Sequence, residues 1–309
     1  MSEKSATLRV LTLNALAPFF ADWPRRRAVL VDGLRELRPD VVALQEVAGG
    51  GDMDEAGGLL GPDYHLVPHP GRSEDGVGAV LGSRWPMRTV GVVDLHVTPR
   101  TAALPWSAAV VVEVAVPPPL GPVLVAHHKP TWQYDAEYER ELQAVRTARY
   151  IEEIVVERRT GALDPDGPDT EPHVVLLGDF DAAPDAASVR FWTGRQSLAG
   201  VSVCYQDCWT AVRGAAPGHT FSPGNPLIRA GLMPLDRGRR IDYALVRCGP
   251  HGPTLDVVDC RRVFADPVGG VWASDHFGVL ADLRLPPHPP GTWAETRPGS
   301  EEGAPPPTP

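Results

Sequence analysis

Several side chains that handle metals and phosphates stand at the edges of short apolar runs. Asn14 ends Leu8–Asn14, Glu46 follows Val41–Gln45, and Asp179 follows His173–Leu177 and Gly178. Asp242 lies at the start of Ile241–Val246, and Asp275 and His276 precede Phe277–Leu283. A lone acid after a strand is usually a turn former. Several of them, with histidines nearby, can converge on one rim that a sheet holds rigid. Hard oxygen donors of this kind suit Mg²⁺ or Mn²⁺. The matching chemistry is attack of water on a phosphoester. The anionic ester repels hydroxide, and a metal neutralises that charge and stabilises the leaving oxygen. A carboxylate within hydrogen-bond reach of the water gives general-base help. A histidine held by an aspartate has a fixed tautomer and a favoured cationic form, which suits a phosphoryl transition state.

The elements that must carry these residues are short strands and a few helices. Leu8–Asn14 alternates like a half-buried strand. Arg25–Arg38 places Leu30, Leu34 and Leu37 at helical spacing, and Pro39 closes it. Val41–Gln45, Val77–Leu81, Ala108–Val116, Pro122–His127, His173–Leu177, Ile241–Val246 and Phe277–Leu283 read as strands. Ala136–Arg159 is the longest predicted helix, with Tyr138, Leu142, Val145 and Val156 on one face. The order is neither strict βαβ alternation nor all β, which suggests two sheets packed face to face with helices outside.

Five segments occur in order: Leu11-Thr12-Leu13-Asn14, Leu44-Gln45-Glu46-Val47, Gly178-Asp179-Phe180-Asp181, Arg240-Ile241-Asp242-Tyr243 and Ser274-Asp275-His276-Phe277. Together they resemble the motifs of the endonuclease/exonuclease/phosphatase superfamily, over roughly Leu8 to Leu283. The resemblance implies an α/β fold, a four-layer sandwich of two packed mixed β-sheets flanked by helices, with the site at one end of the paired sheets. It implies Glu46 as main metal ligand, with Asn14 and Asp275 helping to hold the metal or its waters. Asp179 orients or deprotonates the attacking water, and His276 contacts the scissile phosphate with Asp242 holding its imidazole.

Two departures stand out. The family usually has Asn after Gly-Asp-Phe, where this chain has Asp181. An amide donates a hydrogen bond to a phosphate oxygen and a carboxylate ordinarily does not. Asp181 is therefore read as a metal ligand, a protonated neighbour of Asp179, a sign of lowered activity or neutral drift. The family often has Thr-His-Leu where this chain has Ala126-His127-His128-Lys129-Pro130. His128 is aligned with that histidine and expected to reach the phosphate. Strand alternation then turns His127 away. Lys129 is a candidate contact for a substrate anion or a solvated lysine. Trp132 and Tyr134 suit stacking on a flat group or packing. Arg229, Arg237, Arg239 and Arg240, with Arg100, suit a phosphate-facing cluster at the mouth or ordinary salt bridging; Arg240 is the one named as a substrate contact.

The chain has 309 residues, 43% of them hydrophobic, and a formal net charge of -10. That acidic balance argues against a long duplex held by its phosphates. The expected substrate is a phosphorylated small molecule or short nucleic acid, with no membrane and no obligate protein partner. The alternative is a non-hydrolytic or redirected member of the same fold. Four cysteines are too few for a disulfide scaffold and read as buried, reduced thiols. With no apolar leader or spanning run, the expectation is a cytoplasmic protein. Residues 1–6 read as a flexible lead-in, 7–285 as one domain and 286–309 as a disordered Pro-rich tail. Gly161–Pro172 reads as a polar, mobile loop.

Overall fold

The computed structural model describes residues 7–48, 54–104, 107–160 and 171–287. The expected lead-in, nearly all of the expected tail and most of the Gly161–Pro172 loop lie outside the described residues. In chain order the elements are β1 (Leu8–Asn14), α1 (Trp23–Leu37), β2 (Val41–Ala48), α2 (Asp54–Leu60), β3 (His65–Pro68), β4 (Val77–Ser83), β5 (Met87–Asp94), β6 (Ala108–Val114), β7 (Val123–Lys129) and α3 (Glu137–Arg159). They continue with β8 (Val174–Asp179), α4 (Ala187–Trp192), β9 (Tyr205–Asp207), α5 (Cys208–Arg213), α6 (Pro226–Ala230), β10 (Asp242–Gly249), β11 (Gly252–Pro253), β12 (Asp256–Val263) and β13 (Gly278–Arg284).

The strands form two mixed sheets. One runs β12-β13-β1-β2-β4-β3, the other β11-β10-β8-β7-β6-β5, with β9 beside β10. Valine-rich strands with both faces buried fit this arrangement, because each sheet is covered on two sides. Val10, Val41, Val125, Val175, Ala244 and Ala281 meet between the sheets. Leu11, Leu13, Val42 and Leu44 pack outward with Leu30 and Leu34 of α1. Leu124, Ala126, Val174 and Leu176 pack outward with Ala148 and Ile151 of α3. The result is the expected four layers: helix, sheet, sheet, helix.

Two local expectations fail. The buried face of α3 is Gln143, Ala144, Thr147, Ala148, Ile151 and Val155, while Tyr138 and Val156 are exposed. Gln143 and Thr147 are polar but find buried partners: Gln143 donates to Leu95 O at 2.8 Å, and Thr147 lies 3.1 Å from His128 Nδ1. Of the predicted face, Val145 is buried in the core and Leu142 half-buried, so the hydrophobic count misleads at Tyr138 and Val156. The cysteines are all free, but Cys204 is exposed and Cys248 only half-buried. Among the described residues, no helix is long and apolar enough to cross a membrane.

Candidate functional site

Strand alternation decides which residues reach the end of the inter-sheet space. On β8 the residues facing the other sheet are Val175, Leu177 and, continuing the period of two, Asp179. On β10, Ala244 and Val246 face inward and Asp242 continues that face, directly opposite Asp179 in the antiparallel ladder. On β1, Asn14 shares the face of Leu8 and Val10. Glu46 breaks the alternation. It sits at a bulge in the β2–β4 pairing with φ +57°, so the chain turns its carboxylate to the rim and returns Val47 to the outer core.

The side chains form one connected network. Asn14 Nδ2 donates to Glu46 Oε1 at 2.9 Å and to Asp179 Oδ2 at 3.1 Å. Its Oδ1 accepts from Leu16 N at 3.0 Å, so Asn14 presents its amide hydrogens, not its oxygen, to the two acids. Lys129 Nζ donates to Asp179 Oδ2 at 3.0 Å and also to Asp181. Asp181 N donates to Asp179 Oδ1 at 3.2 Å, a contact reached with φ +53° at Asp181. His276 Nδ1 lies 3.0 Å from Asp242 Oδ2. Ser274 Oγ donates to Asn14 O at 2.7 Å and tethers the segment carrying Asp275 and His276 to β1.

The fields in this network are strong because it is dry. Burial opposes the charge on His276, but Asp242 and Asp179 outweigh it and hold the imidazolium well above the usual range. Burial likewise opposes the Lys129 charge, and Asp179 and Asp181 together raise its pKa. Asp179 is desolvated, yet Lys129 and His276 keep it below its usual value. Burial and the Asp179 charge push Asp181 up to about 6, against the pull of Lys129. Asp275 also rises to about 6, through burial with Glu46 adding to it. Asp242 is raised by burial, with His276 pulling it back.

A cleft of about 500 Å³ opens onto this network and is lined by Asn14, Glu46, Lys129, Asp179, Asp181, Asp275, His276 and Trp132. Asp242 stands behind His276. His128 does not reach the cleft. The residues of β7 that face the other sheet are Val123, Val125, His127 and Lys129; His128 points the opposite way, against Phe180 and Trp192 at ring distances of 5.1 and 5.7 Å. Both faces of β7 are apolar, so its sequence gave no parity, and the one-residue choice turned every assignment over. His127 is not in the cleft either. Its Nε2 lies 2.6 Å from Gln45 Nε2, and its ring packs on His69. Lys129 ends the strand beside Asp179, where the Thr-His-Leu resemblance expects a histidine.

Arg240 also departs from expectation. It turns away from the cleft and pairs with Asp207 at 2.8 Å. Its neighbour Arg239 lines the cleft, held by Asp236 at 2.7 Å and lying over the Tyr134 ring at 4.4 Å. Arg100 pairs with Asp135.

Three supporting residues escaped sequence reasoning. Gly178 is one: a Cβ there would meet His128 O at 2.0 Å, so only glycine lets β8 lie this close to β7. Asn225 is another; it caps α6 through Leu227 N and donates to Ser274 O at 2.7 Å, fixing the loop before Asp275. Asn before Pro226 is a helix-start signal that was legible. Arg26 is the third. It is buried within α1 and donates to the carbonyls of Ala15, Leu16, Ala17, Phe20 and Ala273.

Glu46 and Asp275 supply hard, anionic oxygens. The rise of Asp275 under burial and the Glu46 charge is what two facing acids show before a cation joins them. That donor set fits a divalent metal. Asp179, Asp242 and His276 also approach within 4.8 Å of one another. There, however, His276 Nδ1 is committed to Asp242, and Asp179 to Lys129 and Asn14, so this group is an ion-pair network and a poorer cage.

A comparison by sequence with curated proteins finds no match. Among solved structures, an endonuclease/exonuclease/phosphatase protein from Bacteroides vulgatus is 20% identical, with TM-score 0.65 over 91% of this chain and 100% of that one. TDP2 from D. rerio, complexed with single-strand DNA product, is 16% identical, with TM-score 0.63 over 91% and 100%. The human Nocturnin catalytic domain with bound sulfate is 18% identical, with TM-score 0.62 over 91% and 94%. These likenesses show the fold. The model of the Endonuclease/Exonuclease/phosphatase family matches residues 11–276, from β1 to His276, and the chain belongs to that family.

Proposed function

We propose that the protein is a divalent-metal-dependent hydrolase of phosphoester bonds in small phosphorylated molecules. The observation that carries this reading is the convergence of Glu46, Asp275, Asp179, Lys129 and the Asp242–His276 pair on one cleft. Members of the family are generally hydrolases of phosphoester bonds. Glu46 and Asp275 would hold Mg²⁺ or Mn²⁺, and Asn14 would orient Glu46 through its amide. The metal, when bound, supplies charge neutralisation at the phosphoryl oxygens and the leaving oxygen.

The chain's own residues do the rest. Asp179 is kept anionic and accepts a hydrogen bond from the attacking water, aligning it. His276, cationic and fixed by Asp242, donates from Nε2 to a phosphoryl oxygen. Lys129 offers a second cation beside Asp179, in place of the expected histidine. Asp181 holds that ammonium in position. The acidic net charge of the chain supports a small substrate over a long duplex.

The test is a panel of phosphodiesters and phosphomonoesters assayed with Mg²⁺, Mn²⁺ and chelator. Metal-dependent turnover that chelator abolishes is the expected result. No turnover on any member with either metal would favour a binding role for the same cleft.

A further inference from the structure

The acidic network is only part of the cleft lining. An apolar part is made by Phe20, Leu104, Trp132, Leu227, Leu232 and Met233, drawn from four separate stretches of chain. Of these, Phe20 is 50%, Trp132 46% and Leu232 84% exposed. Side chains of this size gathered around one opening mark a binding surface more often than chance exposure. The cleft volume is that of a site for a whole small molecule, larger than a phosphate alone requires.

Its charges narrow the choice. Among the described residues, the lining cations are Lys129, Arg239 and His276. Lys129 is engaged by two aspartates, Arg239 by Asp236 and His276 by Asp242. Of these, Arg239 touches the apolar wall, its Nη2 3.6 Å from Met233 Sδ, and with Nε committed to Asp236 it is one contact and not a track of cations. A strand of nucleic acid needs such a track, because its affinity rests on successive phosphate contacts.

We infer that the substrate is a phosphoester bearing an uncharged apolar substituent, alkyl or aryl, which lies in the apolar end while the phosphoryl group sits at the acidic end. This rests on the hydrolytic reading of the acidic end. The shared chemistry of the two sources is burial of hydrocarbon beside a single anionic phosphorus. Trp132 and Phe20 suit a flat ring; Leu227, Leu232 and Met233 suit a flexible chain.

The experiment uses p-nitrophenyl phosphate diesters carrying methyl, butyl, hexyl or benzyl groups, with the p-nitrophenyl ester of thymidine 5′-phosphate as the nucleotide member. Assayed with Mn²⁺, kcat/KM should rise about threefold to fourfold per added methylene between methyl and butyl. Benzyl above butyl identifies an aryl substituent and butyl or hexyl above benzyl an alkyl one, and either supports the inference. The Leu232→Ser/Met233→Ser double variant should lower the hexyl-to-methyl ratio on the order of tenfold. A flat series, or the thymidine ester as best substrate, overturns the inference while leaving hydrolysis standing. If no ester is turned over, hydrolysis fails, and calorimetric binding of methyl-, butyl- and hexylphosphonate decides. Affinity that rises with chain length sustains the apolar site, and equal affinities overturn it.

Discussion

The two ends of the cleft are built on opposite plans. The acidic end comes from strand ends, where Asp179 and Asp242 are nearly inaccessible and almost every polar atom has a partner. The apolar end comes from loops and the short α6; Phe20, Trp132 and Leu232 are exposed and Leu104, Leu227 and Met233 half-buried. One end is pre-organised and electrostatically costly, and the other is adaptable and carries little charge. The difference separates the part that can do chemistry from the part that can choose what arrives. Substitutions in the first should change stability and rate, and substitutions in the second should change selectivity.

The sharpest way to break that comparison is Lys129→Ala. It leaves Asp179 and Asp181 facing each other in a dry site and should destabilise the protein by about 3–5 kcal/mol in urea unfolding. Lys129→Ala/Asp181→Asn should recover a large part of that loss, because the second change removes the uncompensated charge. A double-mutant cycle with no coupling would show that the ion pair is not what holds this end together.

Glu46→Gln tests rate without stability. Its side chain is partly accessible and faces the cleft, so unfolding should change little. Metal-dependent kcat should fall on the order of 10²–10³-fold, the scale of losing a principal electrostatic group. An unchanged kcat at saturating metal would remove Glu46 from the centre.

A smaller effect compares histidines inside and outside the cleft. Burial holds His128 and His69 down at about 3. The folded state keeps them neutral, whereas the unfolded chain takes up protons below about pH 6.5. Their stabilisation is therefore present above that pH and lost as pH falls, by about 2 kcal/mol each between pH 7 and 5. His276 has the opposite sign: its raised pKa stabilises the fold below about pH 6.5, and that contribution fades as pH climbs through its folded value. His128→Gln should flatten the acid loss of stability, followed by urea midpoints at pH 7, 6 and 5. An unchanged slope would mean that His128 is protonated within the fold.

Much of the fold was legible because its signals are local. Alternation gave β1, apolar runs gave β4 and β8, and leucine spacing with Pro39 gave α1 to within about two residues at each end. The edge strands β3, β5 and β12 were missed; their partly exposed, mixed sequences give no clean period. At the site, motif order pointed to Asn14, Glu46, Asp179, Asp181, Asp242, Asp275 and His276, which do converge. It could not reveal the bulge that aims Glu46 or the parity that puts Lys129 in the cleft in place of His128. Those depend on how the second sheet pairs. Of the apolar part of the cleft only Trp132 was legible, as a stacking candidate; Phe20, Leu104 and Leu232 are far apart in the chain and meet only in the fold.

Arg26 joins what these plans keep apart. Its guanidinium grips four carbonyls of the stretch from Ala15 to Phe20 and one from Ala273, two residues before Asp275. In kinematic terms the lip that carries Phe20 and the segment that carries Asp275 are two arms on one pivot. Neither can swing far without breaking hydrogen bonds to a buried cation. A guest pressing on the lip would load the same guanidinium that holds Ala273, two residues before Asp275.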